Sequence, residues 1–275
     1  MLNRSTDTII ATADPPPQGV PNPIHNAAGA DAAGYAGALV AGVRTYGWAA
    51  TTITRALGES WLEQGWVDFS LKRPLYAEEP MRTDVEPDGE VWTVTCTAGS
   101  GANERIVLQG TAGLNEAAWA GDLEPPAPSP GSDALETLPG YDLAHVPYRQ
   151  PLRPLSVYVS NEAAESMVFE DLGLQSERYL SAGNEPVYVH PYFIAARMAP
   201  LTRHNFTYGP TIHVRSQIQH RREAKANCEI IVGAQIVDAY DRHDHWYQVL
   251  DGIVTDDSGT LAIIRHHTIF RPRGT

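Results

Sequence analysis

The sequence predicts an α+β protein of two similar modules, each a long antiparallel sheet wrapped around one helix. Three observations carry this. The positions Leu39, Val43, Tyr46, Ala50, Ile53 and Leu57 form an apolar stripe at helical period, stopped by Gly58. A run of alternating strands separated by Asp-Gly and Gly-rich turns follows it. The stretches VWTVTCTAGSGANERIVLQGTAGL and WYQVLDGIVTDDSGTLAIIRHHTIF then share one outline, strand, acidic or glycine-rich turn, strand, as an internal duplication would.

Residues 1–18 end in Asp14-Pro15-Pro16-Pro17 and predict an extended arm lying over the first module rather than a packed element. Asn22-Pro23 is a turn signal, because proline fixes its own φ and pushes the preceding residue out of the α region. His25 follows at the lip of an alanine-rich, helix-permissive segment, Ala27 to Ala33, which Gly34 ends. After the central helix, Trp61 to Gly65 closes the helical part. Strands are expected at Trp66–Leu71, Met81–Val85, Glu90–Ala98 and Glu104–Leu114. Eight prolines between residues 120 and 154 exclude regular structure and predict a linker. The chain thus divides into 1–120, a linker 121–154, and 155–275. In the last part Gly183 to Pro191 echoes the earlier Asn-Pro…His turn, and Tyr192 to His204 predicts a shorter helix. Strands at Thr211–Gln219, Cys228–Ala239, Trp246–Val254 and Leu261–Phe270 complete it.

At 275 residues and 43% apolar content the chain can bury a substantial core. The net charge of −13 argues against nucleic acid, since no phosphate-neutralising surface is implied. His220-Arg221-Arg222-Glu223-Ala224-Lys225 is the one notable basic patch and reads as a solvated turn. No apolar run reaches the roughly 18 residues of a membrane span, and MLNRSTDT lacks the apolar segment of a secretory signal, so a cytoplasmic protein is expected. Cys96 and Cys228 fall in predicted strands without a CxxC partner and read as buried structural thiols. The histidines at 243, 245, 266 and 267 lack the spacing of a metal site, and no metal or other cofactor is expected.

Asn22-Pro23-Ile24-His25 and the run Gly34-Tyr35-Ala36-Gly37-Ala38-Leu39-Val40-Ala41-Gly42-Val43 resemble the signature of the MaoC-like, hotdog-fold acyl-thioester hydratases and dehydratases. That signature reads roughly Asp-x-Asn-Pro-Ile/Leu-His, an alanine-bearing helix, then Gly-Phe-x-x-x-Ile-x-His-Gly-Met. Its aspartate falls here on Val20 and its second histidine on Ala41. The resemblance is specific within residues 19–47, and by pattern the helix-and-sheet outline occurring twice implies a double hotdog over nearly the whole chain.

The activity so implied is a hydro-lyase acting on an acyl-CoA or acyl-carrier thioester. Such chemistry needs a proton-transfer group, a second group to orient it and a donor for the thioester oxygen. His25 suits the first role by its pKa near neutrality. Asn22 is expected to hold the turn, and Asp31, six residues on, is a candidate to replace the aspartate. Gly42 matches the family's backbone N–H donor at the start of the central helix, where the helix end carries partial positive charge and a glycine permits close approach. Tyr46 and Arg44 follow it as a hydrogen-bond donor and a partner for a substrate carboxylate, and Tyr35 is placed among the substrate-binding residues. An isomerase or cyclase reusing the pocket, and a non-catalytic acyl-binding partner subunit, are the alternatives. A thioesterase fits less well, because the central helix from Leu39 offers no carboxylate before Glu59. Single hotdogs pair, so the chain is expected to be a monomer or a homodimer of such double units.

Overall fold

The computed structural model describes residues 3–15, 22–32, 34–181, 185–207 and 209–274. In it, β1 (Ser5–Ile10), β2 (Trp66–Leu71), β3 (Pro80–Asp88), β4 (Val91–Ala98) and β5 (Arg105–Gly113) come from the first half of the chain. The second half gives β6 (Leu155–Val159), β7 (Ile212–His220), β8 (Cys228–Arg242), β9 (His245–Asp256) and β10 (Gly259–Arg271). All join one antiparallel sheet in the order β1-β3-β4-β5-β2-β7-β10-β9-β8-β6. Read inward from either edge, the two halves show the same order of strands, so one topology occurs twice, meeting at β2 and β7.

That seam is an antiparallel ladder from Trp66 opposite Gln219 to Ser70 opposite Arg215. Polar groups lock its register. Arg215 donates both arms of its guanidinium to Asp68, at 2.8 and 2.6 Å, and Gln217 adds a bond at 3.1 Å. The Gln219 amide donates to the carbonyls of Gln64, Gly65 and Asn115 and accepts from the Ala117 N–H.

Three helices precede the first meander: α1 (Ala27–Ala32), α2 (Gly42–Leu57) and α3 (Ser60–Gln64). The expected stripe lies on α2, where Tyr46, Ala50, Ile53 and Leu57 are buried, and β4 alternates so that Trp92, Val94, Cys96 and Ala98 meet it. Burying a large apolar side chain stabilises by about 1.5–3 kcal/mol each. The helix begins three residues later than the stripe, because the backbone before it is engaged elsewhere. Val40 N–H donates to the Leu75 carbonyl and Ala41 N–H to the Asp14 carboxylate. Gly58, at φ 87°, ends α2 with its N–H on the Thr54 carbonyl.

The structure corrects three expectations. Ser5–Ile10 is no loose arm but an edge strand paired with β3 from Ser5 opposite Val85 to Ile10 opposite Pro80. The predicted helix at Tyr192–His204 is two pieces, α5 (Tyr192–Ala195) and α6 (Met198–Asn205), after α4 (Asn161–Ser166) earlier in this half. Pro200 has no N–H for the Ala196 carbonyl and its ring crowds it, which breaks a continuous helix there. The basic patch is not a freely solvated turn. His220 is buried edge-on to Trp61, and Arg221, Arg222 and Glu223 pair with Glu116, Asp256 and Arg178. The proline-rich interval runs beside β8, with Arg149 and Leu152 N–H donating to the Ile236 and Ala234 carbonyls. Among the described residues no helix is long and apolar enough to cross a membrane.

Candidate active site

His25 ends a short 3₁₀ turn, Pro23–His25, opened by the proline at its first position and anchored by buried Ile24. Its Nδ1 lies 2.8 Å from the Leu39 carbonyl and 2.9 Å from Asp14 Oδ2. Both neighbours only accept, so Nδ1 carries the proton and Nε2 presents a lone pair. Asn22 agrees with this tautomer. Its Oδ1 accepts from Thr211 N–H at 3.2 Å while Nδ2 donates to the Thr211 carbonyl at 2.8 Å, which fixes the amide. The same Nδ2 then faces His25 Nε2 at 3.2 Å as a donor.

Asp14 replaces what the sequence left open at Val20, a position outside the described residues. Its carboxylate accepts from Ala41 N–H at 3.1 Å, from Arg44 Nη1 at 3.0 Å and from the imidazole. Burial by itself would raise this carboxyl and lower the imidazole, but the contact between them outweighs it, leaving Asp14 below its ordinary 3.8 and His25 above its ordinary 6.5. The imidazole stays 27% accessible, enough to be reached from outside.

The pair opens into a cavity of about 1000 Å³ lined from both halves of the chain, including Tyr35, Leu39–Thr45 and Leu71 from the first and Tyr192, Arg197, Arg203, Thr211, His213 and His266 from the second. Ala41 N–H is spent on Asp14, whereas the next two amides of α2, those of Gly42 and Val43, have no hydrogen-bond partner among the described residues. They stand at the positive end of a 16-residue helix. From the second half, Ser216 Oγ bridges His213 Nε2 and His266 Nδ1 at 2.8 Å each. The hydroxyl has one proton to give, so at least one of the two rings donates to the serine. Burial pushes His213 down to about 3 and His266 well below its ordinary value, keeping both neutral.

The structure separates the remaining predicted residues. Tyr35 and Gly42 line the cavity. The space beside Gly42 is already filled, since an added Cβ would fall 2.1 Å from Leu71 Cδ1, so this glycine admits Leu71 rather than a ligand. Arg44 is 2% exposed and its two terminal nitrogens are engaged from within, donating to the Thr12 carbonyl and hydroxyl, Asp14 and the Asp171 carbonyl. Tyr46, fully buried, stacks on Phe69 at 4.7 Å in the core, and burial raises its hydroxyl pKa beyond reach. Two residues apart on a helix means about 200° of rotation, so Arg44 and Tyr46 cannot share a face. Asp31 is exposed on α1, and the carboxylate that meets His25 is Asp14 instead. His190, in the echoing turn, caps α5 by accepting from Tyr192 N–H at 3.1 Å and contacts Thr51 at 3.3 Å. No group of three metal-ligating side chains occurs among the described residues.

No family model and no curated protein matches the sequence. Solved structures do match the fold. One described as a MaoC domain protein dehydratase from Chloroflexus aurantiacus J-10-fl superposes with a TM-score of 0.61 at 11% identity, over 99% of this chain and 96% of that one. A MaoC-like dehydratase gives 0.60 at 13% identity over 98% of both chains. A conserved protein of Mycobacterium tuberculosis with a double hotdog fold gives 0.53 at 16% identity, over 87% and 84%. The fold of this chain is therefore the double hotdog that MaoC-like dehydratases share.

Proposed function

We propose that the chain is a hydro-lyase that adds water across, or removes it from, the α,β bond of an acyl thioester carried on CoA or a carrier protein. The observation behind this is the His25–Asp14 pair, open to a large cavity beside the unpartnered first amides of α2. In hydration, Nε2 exchanges its contact with the Asn22 amide for water and takes a proton from it as the water oxygen bonds to the β-carbon. Charge moves to the thioester oxygen, where the Gly42 and Val43 N–H groups and the helix end stabilise it. The imidazolium, paired with Asp14, returns its proton to the α-carbon. Exposed Lys72 and Arg73 at the cavity suit the phosphates of the carrier arm.

The test is direct. A series of α,β-enoyl-CoA esters of increasing acyl length is incubated with the chain, and loss of enoyl absorbance with appearance of the 3-hydroxyacyl ester is expected. Affinity without turnover would make the chain an acyl-binding subunit, and neither affinity nor turnover with any ester would overturn the reading.

The turn that carries His25 gives a second expectation. A Cβ on Gly29 of α1 would fall 2.2 Å from the Pro23 carbonyl oxygen and 2.5 Å from its carbon, backbone atoms that cannot step aside alone. Gly29→Ala must therefore shift the turn and its imidazole. A displacement near 1 Å costs about 10²-fold in kcat, with the melting temperature recorded alongside to separate it from unfolding. Wild-type kcat in this variant would show that the α1 contact does not position His25.

A further inference from the structure

Arg197 stands between α5 and α6 in the wall of the same cavity. Its guanidinium lies over the Phe193 ring at 4.3 Å, and its Nε is sealed from solvent without a hydrogen-bond partner. Several partly or wholly buried arginines of this chain meet a carboxylate: Arg44 meets Asp14, Arg105 Glu79, Arg178 Glu223 and Arg265 Asp251. The Arg197 guanidinium has neither ion pair nor hydrogen bond among the described residues. Asp171 acts on it through its charge, yet does not bond to it.

A guanidinium cannot shed its proton at any ordinary pH, so partial burial leaves a cation with no anion bonded to it. Such a group is costly unless an anion meets it, and its planar fork fits a carboxylate in two places at once. The cations suited to a carrier arm, Lys72 and Arg73, are exposed. Arg197 is half-buried in the cavity wall with its Nε sealed from solvent. Resting on the thioester reading above, we propose that Arg197 is an anion subsite of the His25 cavity, and that the substrate's acyl group carries a free carboxylate that pairs with it.

Calorimetric binding of succinyl-CoA and butyryl-CoA, esters of equal acyl length that differ by a terminal carboxylate, tests this, with free glutarate as a probe lacking any carrier. The wild type is expected to bind succinyl-CoA about tenfold or more tighter than butyryl-CoA. Arg197→Met, which keeps the bulk and removes the charge, should equalise the two, and Arg197→Lys should keep part of the preference. Equal binding by the wild type, or a preference that survives in Arg197→Met, would overturn the subsite and leave the thioester reading standing. If neither ester binds, the thioester reading fails, and glutarate decides the subsite alone: binding that disappears in Arg197→Met supports it, and no binding overturns it.

Discussion

Asp14→Asn is expected to lower kcat by about 10²- to 10⁴-fold, as far as His25→Ala does, although the substitution removes no bulk. The geometry explains why an amide cannot stand in. One oxygen of Asp14 faces the Arg44 guanidinium at 3.0 Å and the other faces His25 Nδ1 at 2.9 Å, and both positions hold donors. An asparagine has one acceptor to give. Arg44 is always charged, so the amide oxygen goes to it and the NH₂ turns toward the imidazole. That drives the proton from Nδ1 to Nε2, removes the lone pair from the face that meets substrate and leaves the Leu39 carbonyl without its donor. The pH profile gives an independent sign. His25 sits above 6.5 only because Asp14 outweighs burial. Without the anion, burial prevails, so the acidic limb of kcat/KM moves to lower pH. Measured well above both limbs, where each imidazole is neutral, the remaining loss reports tautomer and orientation alone. The double variant should be no slower than either single one, since the two residues act as a unit. Wild-type kcat with an unmoved limb in Asp14→Asn would remove Asp14 from the mechanism.

That carboxylate also marks how far the sequence could be read. Asn22 and His25 are legible because proline chemistry and helix spacing act within a few residues, and α2 because its apolar period is long. The inner strands are legible from their apolar content, β3 and β4 alternating over one buried face and β9 running buried for most of its length. The edge strands β1 and β6 are not, since an edge buries little and Ser5–Ile10 is mostly half-buried or exposed. Asp14 reaches His25 across a proline run, and no local pattern joins them. Its one trace is an acidic residue directly before a run of prolines just ahead of the motif. His213, His266 and Arg197 belong to the other half of the chain, and only the β2–β7 seam brings them to the cavity. Orientation was the other gap: the sequence offers Arg44 and Tyr46 alike as site residues, and the structure turns Tyr46 into the core and pairs Arg44 with Asp14.

Arg44→Met should destabilise the fold by about 3–5 kcal/mol, the usual cost of breaking a buried ion pair from one side. The thioether roughly fills the space of the arginine stem, so little of this is cavity formation. What is lost is a junction. Arg44 donates to both the carbonyl and the hydroxyl of Thr12, to Asp14 and to the Asp171 carbonyl, and lies over Trp48 at 5.0 Å. It therefore ties the N-terminal segment and a carbonyl of the second half to the first turns of α2. Its removal leaves Asp14, 15% exposed, with a charge less fully paired. The sign with pH follows. Asp14 lies below its ordinary 3.8, so its contribution is present above that value and lost as pH falls through the lower, folded one. With Arg44 gone the folded value rises, and acid destabilisation begins at higher pH than in the wild type. Arg44→Lys keeps the charge but not the fork and should fall between. Urea unfolding at neutral and mildly acidic pH measures all three proteins. A loss under about 1 kcal/mol in Arg44→Met, within the range of surface ion pairs, would mean that the fold holds Asp14 against His25 without this arginine.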